Sequence, residues 1–508
     1  MEKKYLLGYD IGTSGSKGVI IDLAGNILAT ASTEHDVEIP RPAWAEQNAD
    51  LLYWGEFQDN VKKLVAKAKI NPAEIAGIGV SGLTPDAIAV DKQGKALRNC
   101  IIYMDRRATA ECEWVEKEIG KEELFKVAGN IADPYYAGYK CMWIRNNEPE
   151  IYNNTWKFLN SHAYIVLKLT GQAVVDTGVA GLFAPFFNIA ERRWDEAMIK
   201  RCGFDIDKLP KVYEPTDIVG YVTPEAAEAC GLAPGIPVIA GNGCDATSSG
   251  LSTGMIHPGE STCMCGTTHC WMVVLDKPVF DPGFINFPYL NGTWVALAGL
   301  GSSGGVVKWF RDNFGESELE YQGKRGVSAY ELLNLEAARV PKGSDGVILL
   351  PYFMGERSPI WDPKARGMFF GLSLYHTRAH MFRAILEGIA YALEHHAVLL
   401  RDKGMMPKRI TVTDGGAASA IARQAFADVL RVPIDYASKV AGAPVADAFL
   451  AGLAVGLFKS VDEIKNWVNL DITNEPDPSV ADMYQKLFNI YVNLYKNTKG
   501  EMHALADL

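Results

Sequence analysis

Apolar and polar positions fall into a repeated order at four places along the chain. Residues 5–12, "YLLGYDIG", form an apolar run that closes on Gly12-Thr13-Ser14. The "GVIIDLAG" that follows alternates and β-branches, so the pattern predicts strand, tight turn, strand. The order returns in "STCMCGTTHCWMVV", where Gly266-Thr267-Thr268 separates two further apolar runs. Gly12 and Gly266 stand half the chain length apart, which predicts two related halves, each opening with a β-hairpin whose tip faces a shared cleft. In "RITVTDGGAASAIARQAFADVL" a β-branched strand ends in Asp414-Gly415-Gly416-Ala417 and a helical spacing begins at about Ser419. A fourth strand, in "IPVIAGNGCDATSSG", ends in glycines just before Asp245.

Length and composition narrow this picture. A chain of 508 residues exceeds a single core, so two domains are expected. With 48% hydrophobic and 22% charged residues, and no Pro/Ser-rich tract or like-charge block, any linker is short. The longest apolar stretches, such as "VGYVTPEAAEACGLAPGIPVIAG", are broken by Glu and Pro, so none reads as a membrane span of about 20 residues. "MEKKYLLGYDIG" enters a strand without a signal core, which predicts a cytoplasmic protein. A net charge of −11 disfavours nucleic acid and anionic membranes as partners but leaves room for a local anion pocket. Nine cysteines in such a chain suggest reduced thiols. Cys263, Cys265 and Cys270 beside His269 lack paired C-x-x-C spacing and read as small core residues rather than zinc ligands.

The turns carry the candidate chemistry. In "GYDIGTSGSK" small residues admit backbone N–H groups close to an anion, hydroxyls add donors and Lys17 adds charge, which suits phosphate. The spacing is not that of a Walker loop, and a plain Gly/Ser-rich hairpin turn is the alternative. Two such tips facing one another could clamp a polyphosphate. The Asp414-Gly415-Gly416-Ala417 turn would let an adenine or ribose lie against backbone, or would merely pack a helix on a strand. Gly241-x-Gly243-x-x-Ala246 could be a dinucleotide fingerprint with Glu260 as its acidic ribose ligand. The preferred reading makes Asp245 a functional carboxylate at the junction between the halves.

With these sites in order, the sequence resembles the FGGY carbohydrate kinases, a branch of the actin-like ATPases that includes xylulokinases and glycerol kinases. The resemblance spans almost the whole chain and includes "RPAWAEQNADLLYW", "DRRA", "DPYYAGYKCMW", "GSSGGVVKWFRD", the long block from Gly355-Glu356-Arg357-Ser358-Pro359 to Glu387-Gly388, and "GAPVADAFLAGLAVG". It implies an α/β fold of two actin-like (ribonuclease H-like) domains, residues 1–252 and 253–508, closing over ATP, Mg²⁺ and a small sugar or polyol. By position it implies that Asp10 helps hold Mg²⁺, that Gly12, Thr13, Ser14 and Lys17 form the first phosphate loop, and that Gly266 and Thr267 form the second. Gly415, Gly416 and Ala417 would bind adenosine, and Asp245 would be the catalytic base.

The substrate segment departs from the pattern. Xylulokinases typically show Gln-Met-His-Gly, and glycerol kinases Gln-Arg-Glu-Thr, where this chain has Leu83-Thr84-Pro85-Asp86. Thr84 and Asp86 become candidate sugar contacts, together with Tyr103, Asp105 and Arg106 in the segment that borders the sugar pocket in relatives. Tyr135 matches an aromatic substrate contact of glycerol kinases. Each has a structural alternative, an ion pair for Asp105 with Arg106 or Arg107 and a packed ring for Tyr103. The implied activity is phosphorylation of a primary hydroxyl, of a ketopentose such as a xylulose or ribulose or of a close four- to six-carbon relative. D-xylulose itself is expected to be a secondary substrate, because Pro85 offers no side-chain donor. The rivals are a polyol kinase, a nicotinamide dehydrogenase and a chaperone-type ATPase; a homodimer is one option for the assembly.

Overall fold

Both predicted hairpins form. In the computed structural model, which describes residues 3–440 and 442–508, β1 (Tyr5–Gly12) and β2 (Gly15–Asp22) pair antiparallel with Gly12 directly opposite Gly15. A two-residue Thr13-Ser14 turn joins them. β3 (Ile27–Glu34) continues the meander, while β4 (Ile75–Gly82) adds to the other side of β1 in parallel. With β5 (Ile218–Tyr221) and β6 (Pro237–Ile239) the sheet runs β5-β6-β4-β1-β2-β3. Every residue of β4, "IAGIGVSG", is buried, as a central parallel strand covered on both faces requires.

The second half repeats the scheme. β7 (Ser261–Cys265) and β8 (His269–Leu275) form the second hairpin, and β9 (Ile285–Pro288) and β10 (Trp294–Leu300) extend it antiparallel. On the far side of β7, β11 (Ile410–Thr413) and β12 (Ile434–Tyr436) add in parallel and β13 (Ile472–Asn474) closes the edge. The order is β9-β10-β8-β7-β11-β12-β13. Each opening hairpin thus supplies a central strand flanked by its antiparallel partner and by a later parallel strand.

Helices cover the sheets by simple periodicity. α1 (Glu56–Ala68) buries Phe57, Val61 and Leu64, at i, i+4 and i+7, against β2 and β3, and α2 (Ser161–Thr170) packs on β4. α3 (Asp245–Leu251) leaves the junction between the halves, and α4 (Gly304–Phe314) follows β10. α5 (Arg378–Asp402) and α6 (Ala420–Leu430) pack together in the second half. α7 (Ala443–Ala454) does not stay with its neighbours in sequence: it lies on β1 and β4 of the first sheet. β1 shows why. Leu7, Tyr9 and Ile11 join the α1 and α2 core, whereas Leu6 shares a core with Val445, Ala448 and Phe449 of α7. On that face a Cβ at Gly8 would overlap the Pro444 carbonyl oxygen and one at Gly79 the Asp447 carbonyl oxygen, so only glycine allows the helix backbone to rest on the strands. A boundary near residue 252 separates the two sheets in sequence, but α7 crosses it in space.

Candidate active site

The first hairpin tip is held by its carbonyls. His35 Nε2 donates to Gly12 O at 3.2 Å, Gln47 Nε2 to Thr13 O at 2.9 Å and the His35 backbone N–H to Ser14 O at 3.1 Å. Three successive carbonyls are thereby occupied from within the protein. His35 is itself anchored through Nδ1 to the Glu56 carboxylate at 3.0 Å, and the Gln47 Oε1 accepts from Tyr53. The second tip follows the same logic: Thr267 O accepts the Gly305 N–H at 2.9 Å, from the first turn of α4. At the third turn, Ser419 caps α6 by accepting the Ala422 N–H, and Arg423 binds Ala417 O at 2.5 Å and Ala418 O at 2.9 Å. A side chain on Gly415 would meet nothing within 4 Å, whereas one on Gly416 would approach Cys265 O at 2.7 Å. The turn therefore presents open space outside and tight packing against the second hairpin inside.

Three carboxyl groups interact near the first tip, Asp10 and Asp245 half-buried and Asp447 buried. Asp10, directly opposite Lys17 in the hairpin register, is pushed up to about 6 by burial, with the Ser81 hydrogen bond and the Lys17 charge pulling the other way. Asp245, at the first turn of α3, is pushed up to about 7 by burial and by the neighbouring charge of Asp10. One of its oxygens accepts the Ala246 N–H at 2.7 Å. Asp447, from α7, is fully buried, and burial raises its pKa well above the carboxylate range.

Proton counting bears on the state of Asp447. Ser81 Oγ lies 2.8 Å from Asp10 Oδ1 and 2.6 Å from Asp447 Oδ2; Ser248 Oγ lies 2.9 Å from Asn242 O and 2.7 Å from Asp447 Oδ1. Each hydroxyl has one proton and faces two acceptors. Two of the four contacts therefore lack a donor, and a proton on Asp447, which its burial favours, supplies one of them while the carboxyl ties α7 to β4 and α3. Asp447→Asn, which keeps a donor and an acceptor, should leave kcat within about threefold, while Asp447→Leu removes one partner from each hydroxyl, leaving Ser81 with Asp10 and Ser248 with Asn242 O, and should cost about 1–3 kcal/mol in all. Thermal melts and kcat of the two variants check this; an Asn variant as damaged as the Leu variant would show that the group is ionised.

The predicted sugar contacts divide. The Tyr103 and Tyr135 rings meet edge to face at 6.3 Å, Tyr103 OH accepts from Thr13 Oγ1 at 3.4 Å, and burial raises the pKa of both phenols in the field of Asp245. Thr84 is buried with its hydroxyl unpartnered. Asp86 is fully buried; its Oδ2 accepts from Ser161 N at 2.9 Å and from Cys100, and only Oδ1 lacks a partner. Burial pushes Asp86 up to about 8. Asp105 is committed to the Ala45 N–H and to the buried Arg107 guanidinium, and Arg106 forks onto Asp133. These ion pairs are the structural alternative for Asp105 and Arg106. Glu260 is no ribose ligand: its Oε2 accepts from Ile256 and His257 N–H groups and its Oε1 pairs with Lys465.

Sequence reasoning missed the supports, His35, Gln47, Ser81 and Asp447, because each acts through a partner distant in the chain. It also missed Arg357, although the residue lies in a quoted motif. Its guanidinium packs where a Gly299 side chain would be, 3.0 Å from that Cβ position, and its charge acts on Tyr103, Tyr135 and Cys270. It forms no ion pair among the described residues.

The site thus presents two anchored hairpin tips, a glycine turn packed on the second of them and a raised carboxyl whose charge acts on paired tyrosines. Residues 5–251 match the N-terminal domain, and residues 261–455 the C-terminal domain, of the FGGY family of carbohydrate kinases. The chain belongs to this family and is an ATP-dependent sugar kinase. It is 31% identical to a gluconokinase of Bacillus licheniformis, over 99% of this chain and 98% of that one. It is 28% identical to a xylulose kinase of Lactococcus lactis subsp. lactis, over 99% of both. The solved xylulose kinase from Rhodospirillum rubrum superposes with a TM-score of 0.90 at 29% identity, covering 98% of this chain and all of that one. The dehydrogenase and chaperone readings are thereby set aside. No helix among the described residues is long and apolar enough to cross a membrane.

Proposed function

We propose that the chain transfers the γ-phosphoryl group of ATP to a primary hydroxyl of an open-chain ketopentose or a close four- to six-carbon relative. The observation that carries this reading is Asp245, a carboxyl raised to about 7 whose charge acts on both Tyr103 and Tyr135. Such a group can orient an acceptor hydroxyl and take its proton near neutral pH. The tips at Gly12-Thr13-Ser14 and Gly266-Thr267 would grip the phosphates, with Lys17 adding charge, and Gly415, Gly416 and Ala417 would receive adenosine. The hard carboxylate oxygens of Asp10, in mutual repulsion with Asp245, fit Mg²⁺, which when bound neutralises phosphate charge. Positioning, rather than covalent chemistry, then accounts for most of the rate.

A second reading concerns the acceptor. Arg357, without a carboxylate partner, suits an acceptor that carries its own carboxylate, an aldonate. ADP release across D-xylulose, L-ribulose, D-gluconate, glycerol and erythritol, with sugar-free ATP hydrolysis as baseline, tests the function. ATP turnover independent of every sugar would sink it. Arg357→Gln separates the two readings: for an aldonate the KM should rise by about 10–100-fold, the loss of one charge-assisted pair, while for a neutral ketose it should move only a few-fold.

A further inference from the structure

We infer that Cys263, Cys265 and His269 form a binding site for a soft divalent metal ion of the zinc class, clipped across the base of the second phosphate hairpin. The chain spacing hides this site and the strand register creates it. Cys263 and Cys265 project to one face of β7 because they are two residues apart, and Cys265 stands directly opposite His269 on β8. Cys270 falls on the opposite face, where the charge of Arg357 reaches it. One ligand atom from each of the three residues lies within 4.8 Å of the others, and the two sulfurs are 3.8 Å apart. Two thiolates bound at about 2.3 Å in tetrahedral geometry are themselves about 3.8 Å apart. The ligand edge already has the length that the ion demands.

A second, independent observation points to a ligand. His269 is 2% exposed, its Nδ1 makes no well-formed hydrogen bond, and the imidazole acts on the Cys265 sulfur. A buried imidazole nitrogen without a good hydrogen bond is unfavourable, and coordination would satisfy it. Two sulfurs and an imidazole select zinc, cadmium or cobalt over magnesium, so this site does not compete with Asp10 for the cation of the reaction. Three protein ligands leave a fourth position for water.

Its placement ties the site to nucleotide binding. Cys265 immediately precedes Gly266 and His269 immediately follows Thr268, so an ion held between them fixes both ends of the phosphate loop. Cys265 O is also the atom against which Gly416 of the adenosine turn packs. Metal occupancy should therefore alter the KM for ATP and leave the KM for sugar unchanged.

The test is a titration of the reduced, chelator-treated full chain with Co²⁺, read by the thiolate-to-cobalt charge-transfer band and competed with Zn²⁺. One ion per chain with that band is expected. Cys263→Ser, Cys265→Ser and His269→Gln should each weaken binding at least about tenfold. Cys270→Ser should bind like the unmodified chain, and Cys263→Ala, which keeps a small apolar volume, serves if the serine variant does not fold. In the unmodified chain Zn²⁺ should shift the KM for ATP, and in Cys265→Ser it should not. Absence of the band, its survival in both cysteine variants, or its loss in Cys270→Ser would overturn the assignment. Cobalt at Asp10 gives no thiolate band, so failure here is distinguishable from failure of the kinase reading.

Discussion

Asp245→Asn should lower kcat by about 10²–10⁴-fold, the usual range for a positioned acid–base group, with ATP affinity near that of the unmodified chain. The amide keeps the shape and the Ala246 hydrogen bond but cannot take a proton. The same assignment fixes the pH dependence: kcat/KM should fall as pH drops through about 7, where Asp245 becomes protonated. It also has an opposite consequence for stability. The folded pKa of about 7 lies above the unfolded value of about 3.9, so the folded chain holds this proton more tightly than the unfolded chain. That contribution is complete below about pH 4 and is lost as pH rises through about 7. Asn carries no such loss. The melting temperature of Asp245→Asn relative to the unmodified chain should therefore rise between pH 5 and pH 8. Normal kcat, or lost stability together with lost ATP binding, would make Asp245 a mere support of the strand end.

Gly12→Val should raise the KM for ATP by about 10²-fold, roughly 3 kcal/mol, with sugar KM changed only a few-fold. At Gly12 even a Cβ stands 2.9 Å from Gly15 O, and the valine methyls would cover the N–H groups of a tip whose carbonyls His35 and Gln47 already hold. Strain and occlusion must be told apart. Gly266→Ala does this, because its Cβ would meet only Thr268 O, at 3.6 Å. It should melt like the unmodified chain and still weaken ATP. ATP titrations and thermal melts of both variants decide the matter. If folded Gly12→Val binds ATP normally, the tip is only a turn.

What the sequence made legible follows from locality. Hairpin tips, the glycine turn before α6 and the glycine segment that leads into α3 at Asp245 are local patterns, and the structure places each turn where the spacing predicts it. Ser81, Asp447 and His35 were illegible because their roles arise from contacts across elements: Ser81 and Asp447 are 366 positions apart. The metal-ligand grouping fails on spacing for a different reason. A motif counts residues along one strand, whereas Cys265 and His269 meet through antiparallel pairing, and Cys270, adjacent in sequence, is excluded by the pleat. Asp105 shows the reverse case: the ion pair with Arg107, which the sequence offered as the alternative to a sugar contact, forms.

The seat of α7 on the first sheet bears on how the protein could be divided. Cut after residue 252, the first fragment would expose Leu6 and the bare backbone at Gly8 and Gly79, a groove shaped for a helix it does not contain. The second would carry Val445 and Ala448 without the strands that cover them, while Phe449 would keep only Phe458 and Trp467. Neither piece should be well behaved alone, yet the two expressed together have a helix and a groove through which to reassociate. Reassociation would bring Asp447 back beside Ser81 and Ser248, so recovery of kinase turnover would report docking directly. The halves look like duplicates in sequence, but they are a host and a guest, and a tandem repeat of the first half alone would lack the piece that fills its groove.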